Sequence, residues 1–137
     1  MEDKKVFKFT AVQDSGERQE FETGSRRDTN KGKGRFDLLP PHAMTRLAIH
    51  FENGSAKYGD RNWEKGQPLS RYLDSAISHL FKFLEGHRDE DHGIACVWNM
   101  MCLVETEYRI AKGILPKELD NLPKLDYVNT NQTPKES

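Results

Sequence analysis

The sequence predicts an all-α protein, a helical bundle with a short N-terminal β-hairpin or extended arm. Three observations lead there. From Leu38 onward, apolar residues recur every three to four positions across three long segments, the spacing of one helix face. Proline, serine, acids and glycine punctuate those segments where helices start and stop. Alternation at every second residue, the mark of a strand, is confined to the N-terminal part.

In chain order, residues 4–12, KKVFKFTAV, alternate enough for a short strand, QDSG signals a turn, and ERQEFETG returns as its partner. A lone two-stranded hairpin is marginal in water, so this one is expected to lean on the body or on another subunit. Residues 23–37, TGSRRDTNKGKGRFD, are glycine-rich and almost without apolar side chains, and are expected to form a loop. Helical patterning then begins near Leu38, with Met44, Leu47, Ala48 and Phe51 on one stripe and Pro40 and Pro41 tolerated in the opening turn. It stops at Asn53-Gly54 or runs on to Tyr58-Gly59. GDRNWEKGQP, 59–68, is a polar connector.

A second helix is expected to open at Ser70 as N-cap, after Pro68, and to end at Gly86. Its stripe is Leu73, Ile77, Leu80 and Leu84, widened by Ala76 and Phe81. The third starts among Asp89 to Asp91, acids suited to a helix N-terminus, and runs to Gly113. LPKELDNLPKL adds one short turn, and NTNQTPKES is a polar tail expected to fray. The resulting division is an N-terminal hairpin and basic arm (1–34), a helical domain (35–123) and a tail (124–137).

Composition narrows the function. The 137 residues suit one core, and 35% hydrophobic residues argue against wholesale disorder. A net charge of -1 argues against a protein that grips a nucleic-acid polymer. No apolar run approaches the roughly 20 residues of a membrane span. MEDKKVFKF lacks the apolar centre of a signal peptide. Cys96 and Cys102, both inside a helical pattern, are expected to be reduced core thiols of a cytoplasmic protein.

The third helix carries the chemistry. Ile94, Val97, Trp98, Met101 and Val104 form one apolar face, and Cys96, Met100 and Leu103 make the other side apolar too, so the helix is expected to be central. His92 and Asn99 nevertheless sit on that second side, with Asp89 three residues before His92. Buried polar groups require partners, so these three are either a structural hydrogen-bonding set or a site. The run Asp89-Glu90-Asp91-His92 supplies hard oxygen ligands of the kind Mg²⁺ or Mn²⁺ takes, or is a solvated acidic helix start. On the second helix, Asp74 and His79 lie about 140° apart, on opposite flanks of the stripe, and are not expected to hold one metal together. Glu52 stands at the margin of the first helix's stripe, exposed or turned towards the acids of the third. Lys57, Tyr58, Arg61, Asn62 and Trp63 have the ingredients of a nucleotide clamp: an aromatic to stack on a base, an amide to read its edge, cations for phosphates.

Read together, KGKGRFDLLP (31–40), FENGSAKYGDRNWEKG (51–66), SRYLDSAISHLFKFLEG (70–86) and DEDHGIACVWN (89–99) resemble the phage dATP/dGTP diphosphohydrolase family, MazZ-like and related to the MazG-type all-α nucleoside triphosphate pyrophosphohydrolases. The resemblance spans roughly residues 24–123. It implies a helical bundle of the all-α NTP pyrophosphatase type that assembles as a homodimer or homotetramer and binds Mg²⁺ or Mn²⁺ through acids. It also implies hydrolysis of a purine deoxynucleoside triphosphate, foremost dGTP, to monophosphate and pyrophosphate. In phages that use 2-aminoadenine, the dGMP feeds synthesis of the modified purine, and the location implied is the host cytoplasm.

Carried over by position, the implied metal residues are Glu52, Asp74, Asp89 and Glu90, and the substrate-binding residues are Arg35, Lys57, Tyr58, Asn62, Trp63, His79 and Asn99, which Arg61 of the connector joins as a cation for the leaving pyrophosphate. Glu90, Asp91 and His92 form the catalytic group, with Glu90 or Asp91 taking the proton of the attacking water. The ExxE and ExxD pairs of MazG itself are not cleanly present. Ser78 stands where a base is expected, and His87 where an acid is expected. Two other readings stand beside this one: a nucleotide binder without turnover, and a helical interaction protein whose acids are merely solvated.

Overall fold

Each periodic segment folds as a helix: α1 is Pro41–Tyr58, α2 is Leu69–Glu85 and α3 is His92–Ala111. They belong to a computed structural model that describes residues 12–125. Between Leu39 and Pro40 the chain divides into two units.

In the N-terminal unit, β1 (Arg18–Glu20) pairs antiparallel with β2 (Arg26–Asp28), so that Arg18 faces Asp28 and Glu20 faces Arg26. The expected hairpin therefore exists but with a different partner: ERQEFETG supplies β1, and β2 lies in the stretch read as loop. Local closure decides this. Phe21 N–H donates to Ser25 O at 2.9 Å and Gly24 N–H to Phe21 O at 2.8 Å, with Gly24 at φ 89°. Opposite charges across the strands then favour the register. Residues 4–11 of the other expected strand lie outside the described residues, as does the tail from 126 onward.

In the helical unit, Pro41 takes the first helical position of α1, where its missing N–H costs nothing. The helix runs through Gly54 and closes at Gly59, whose N–H donates to Ser55 O at 2.7 Å. Ser70 is not the N-cap of α2. Pro68 supplies the extended approach, Leu69 is already helical, and the cap comes from far along the chain. Asn121 Oδ1 accepts from Ser70 N–H at 3.0 Å, and Asn121 Nδ2 donates to Ser70 Oγ at 2.7 Å. At α3, Asp91 is the cap and accepts from Ile94 N–H. Gly113, at φ 74°, follows its end as expected.

α3 packs chiefly on α2, then on α1 and the 3-10 turn Lys117–Leu119. The core is Leu69, Tyr72, Cys102 and Leu103, with Phe51, Trp63, Leu73 and Trp98 against it. The buried stripe of α3 is His92, Ala95, Asn99, Cys102, Leu103 and Thr106, joined by Ile94. Val97, Met101 and Val104, assigned from the sequence to its apolar face, are exposed. The α2 stripe is corrected similarly: Leu69, Tyr72 and Ala76 are buried, whereas Ile77, Leu80, Phe81 and Leu84 are exposed. Gly66, at φ 90°, lies under Leu115 and Leu119. A Cβ there would come within 2.8 Å of Leu119, so the connector's return to the core requires glycine.

Candidate active site

A cavity of about 1060 Å³ lies among α1, the connector, α2 and the start of α3. Helical spacing explains the α1 contribution: His50, Asn53, Gly54 and Lys57 fall on one face, with Glu52 and Tyr58 beside them. The connector adds Asp60, Arg61, Asn62 and Trp63. α2 adds Ser75 and His79, one turn apart, and the start of α3 adds Glu90 and Asp91, with Trp98 and Asn99 farther along the helix.

Ten residues selected from the sequence thus share one cavity: Glu52, Lys57, Tyr58, Arg61, Asn62, Trp63, His79, Glu90, Asp91 and Asn99. Four do not line it. Arg35 belongs to the N-terminal unit and is paired there with Asp37 through two 2.8 Å hydrogen bonds. Asp74 is exposed on α2 and bound to Arg71 at 2.9 Å. Asp89 and His92 stand behind the cavity. His92 is buried, its Nε2 2.9 Å from Asp89 Oδ1 and its Nδ1 2.9 Å from Nδ1 of His79.

These contacts set the electrostatics. The hydrogen bond from His92 holds the Asp89 carboxyl below the usual carboxylate range. Burial pushes the His79 and His50 imidazoles down, favouring their neutral forms. Arg46 Nε donates to Asp91 Oδ2 at 2.9 Å and its Nη2 pairs with Oδ1, which holds Asp91 low as well. Asp91 also caps α3, so both its oxygens are in use. Glu90 makes no ion pair among the described residues.

Asp89, Glu90 and His92 bring potential ligand atoms within 4.8 Å of one another. Both His92 ring nitrogens are already engaged, so the atoms left for a cation are carboxylate oxygens of Asp89 and Glu90. Oxygen donors of this kind fit a small hard divalent ion that keeps water in its other positions. Glu90 belongs to both this cluster and the cavity wall, and so joins the acids to the space where a ligand sits. The same wall carries Lys57 and Arg61. Arg61 is the one non-glycine residue with positive φ (56°) among the described residues and pairs with Glu64 at 3.4 Å. Carboxylates for a cation, bases for phosphates and an aromatic connector together suit a nucleoside polyphosphate.

Residues 23–114 match the family model described as dATP/dGTP diphosphohydrolase, N-terminal, over more than half of the chain. The chain belongs to the dATP/dGTP diphosphohydrolase family. It is accordingly a nucleoside triphosphate diphosphohydrolase, which releases pyrophosphate. No curated protein and no solved structure matches it. Among the described residues, no helix is long and apolar enough to cross a membrane.

Sequence reading missed several parts of the diphosphohydrolase cavity. His50 lies against Trp98, ring centroids 5.3 Å apart, and Asn53 and Gly54 line the same wall. Their signal was the polar repeat 50, 53, 54, 57, which Asn53-Gly54 disguised as a helix stop. Ser55 donates to Asp60, tying the end of α1 to the connector. Arg109 has no sequence signal. It reaches across from α3, its guanidinium 5.5 Å from the Trp63 ring centroid and 3.7 Å from Glu64.

Proposed function

We propose that this diphosphohydrolase cleaves dGTP to dGMP and pyrophosphate with Mg²⁺ or Mn²⁺, and that the dGMP supplies phage synthesis of a modified purine, 2-aminoadenine. The observation that carries the hydrolytic site is the shared cavity wall of Glu90, Glu52, Lys57 and Arg61. A triphosphate among carboxylates alone would be repelled. Bound by Asp89 and Glu90, with Glu52 supporting, a divalent ion would neutralise phosphate oxygens, polarise the α-phosphorus and make water more acidic.

The protein groups do the rest. Trp63 and Tyr58 offer faces for the base, and Asn62 an amide for its edge. Lys57 and Arg61 hold the leaving pyrophosphate. Glu90 takes a proton from the attacking water. Asp91 fixes the start of α3 through Arg46 instead of taking that proton, and Asp74 remains a metal ligand only if α2 turns it away from Arg71.

We also propose a homodimer or homotetramer. Exposed Leu80, Phe81 and Leu84 on α2, and Val97, Met101 and Val104 on α3, leave apolar faces that a second copy would cover. Light scattering that shows a monomer at micromolar concentration would refute this part.

The direct test of the reaction is product analysis over a panel of deoxynucleoside and ribonucleoside triphosphates with Mg²⁺ or Mn²⁺. The expected products from dGTP are dGMP and pyrophosphate. Formation of dGDP and orthophosphate, or of deoxyguanosine and triphosphate, overturns the proposal. Nucleotide and metal stabilisation without any product would favour the binding module.

A further inference from the structure

The chain Asp89–His92–His79 has a direction, and the direction decides what His79 offers to the cavity. A carboxylate only accepts hydrogen bonds, so His92 Nε2, 2.9 Å from Asp89 Oδ1, carries the proton. In neutral His92 the other nitrogen, Nδ1, is then a lone pair. It lies 2.9 Å from Nδ1 of His79. Two facing ring nitrogens form a hydrogen bond only as one donor and one acceptor, so His79 donates from Nδ1. In neutral His79 this leaves Nε2 as an acceptor. The His92 side chain is 0% exposed, so water does not replace either partner at its ring nitrogens.

His79 lines the cavity, and Nε2 is the ring nitrogen not used by His92. Asn99, 7% exposed, is anchored too. Its Nδ2 donates one N–H to Ala95 O at 2.8 Å, which leaves Oδ1 as an acceptor and the second N–H as a donor. Glu90 adds a carboxylate, and its charge acts on His79. His79 and Glu90 therefore present only acceptors to one cavity, and Asn99 adds its Oδ1. Ionised phosphate oxygens are acceptors too and find no partner in His79 or Glu90. Water can donate to both.

We propose that His79, held as a hydrogen-bond acceptor by buried His92 and its partner Asp89, accepts a hydrogen bond from the water that attacks the substrate's phosphorus and so aims its oxygen. This rests on the hydrolytic reading above, in which Glu90 receives the other hydrogen as a proton. His79 keeps its own proton on Nδ1 throughout, and the water oxygen forms the bond to phosphorus as the bond to the leaving pyrophosphate breaks.

Nitrogen-15 NMR of the full chain labelled at histidine reads the tautomers directly, without substrate or metal. The expected result is His79 protonated on Nδ1 and His92 on Nε2 at neutral pH. A His79 proton on Nε2 overturns the proposal whatever the activity. The kinetic arm is His79→Asn, whose amide can still donate to His92 but has nothing at the Nε2 position. With dGTP and Mg²⁺, kcat should fall at least about tenfold with KM nearly unchanged, as misplaced water predicts. An unchanged kcat with a raised KM would make His79 a base-binding residue and overturn the water role. If the wild-type protein releases no pyrophosphate, the hydrolytic reading fails and the water role with it, while the tautomers still decide whether His79 is an acceptor.

Discussion

Arg46 of α1 holds Asp91, the residue that caps α3, with both prongs of its guanidinium. One pair thus joins two helices and positions the acidic start of α3. Arg46→Met should lower the urea midpoint modestly, because both side chains are more than a third exposed and screened by water. The pH dependence has a definite sign. Asp91 is held below its unfolded value, so its contribution is present above the ordinary carboxylate range and is lost as the pH falls through the folded value. The gap between wild type and variant at neutral pH should therefore close in acid, below the ordinary carboxylate range. A gap that widens in acid would contradict the assignment.

Gly54 sits inside α1, lines the cavity, and has nothing within 4 Å of where a Cβ would stand. Alanine there should stabilise the helix by about 0.8–1 kcal/mol. The same methyl enters the ligand space, so KM should rise several-fold. Thermal denaturation and steady-state kinetics check both effects. A stabilised Gly54→Ala with unchanged KM would mean that the substrate does not use this wall.

The three helices were legible in the sequence because their apolar spacing and terminal residues agree. Which face of α3 is buried was not: with apolar residues on nearly every side, periodicity does not distinguish Val97 and Met101 from Cys102 and Leu103. Burial of His92 and Asn99 was legible, since both fall among Cys96, Met100 and Leu103, and the structure buries them. The partner of His92 was less so. Asp74 and His79 were separated correctly by helical geometry, but nothing local announced that His79 meets His92 across two helices. The Ser70 assignment failed for a related reason, because its capping partner, Asn121, comes from a distant loop.

Arg109 reaches the connector from α3 and holds Trp63 and Glu64 in place. Arg109→Met keeps the apolar stem but removes the cation, so Trp63 should become more mobile while the helices persist. Weaker nucleotide binding and shifted tryptophan emission, with unchanged far-ultraviolet circular dichroism, are the expected results. Unchanged affinity would remove Arg109 from the positioning of the clamp.

The two cysteines should react very differently. Burial pushes the Cys102 thiol up to about 12, whereas Cys96 is only half-buried. At about pH 8 an alkylating reagent should therefore label Cys96 in the native protein and leave Cys102 until it unfolds. Mass spectrometry of the alkylated peptides reads this, and early labelling of Cys102 would contradict the packing of α3 on α2.

Glu90 is where the acidic cluster meets the cavity, and the account places the attack on phosphorus there. The decisive measurement is the turnover of Glu90→Gln with dGTP and Mg²⁺, beside a circular dichroism spectrum of the same sample. The amide keeps the side chain's size but removes the charge and the proton acceptor. The account predicts a fall in kcat of at least about 100-fold with the helical signal intact. Turnover near the wild-type rate would contradict it and leave Asp89 to Asp91 as no more than the start of a helix.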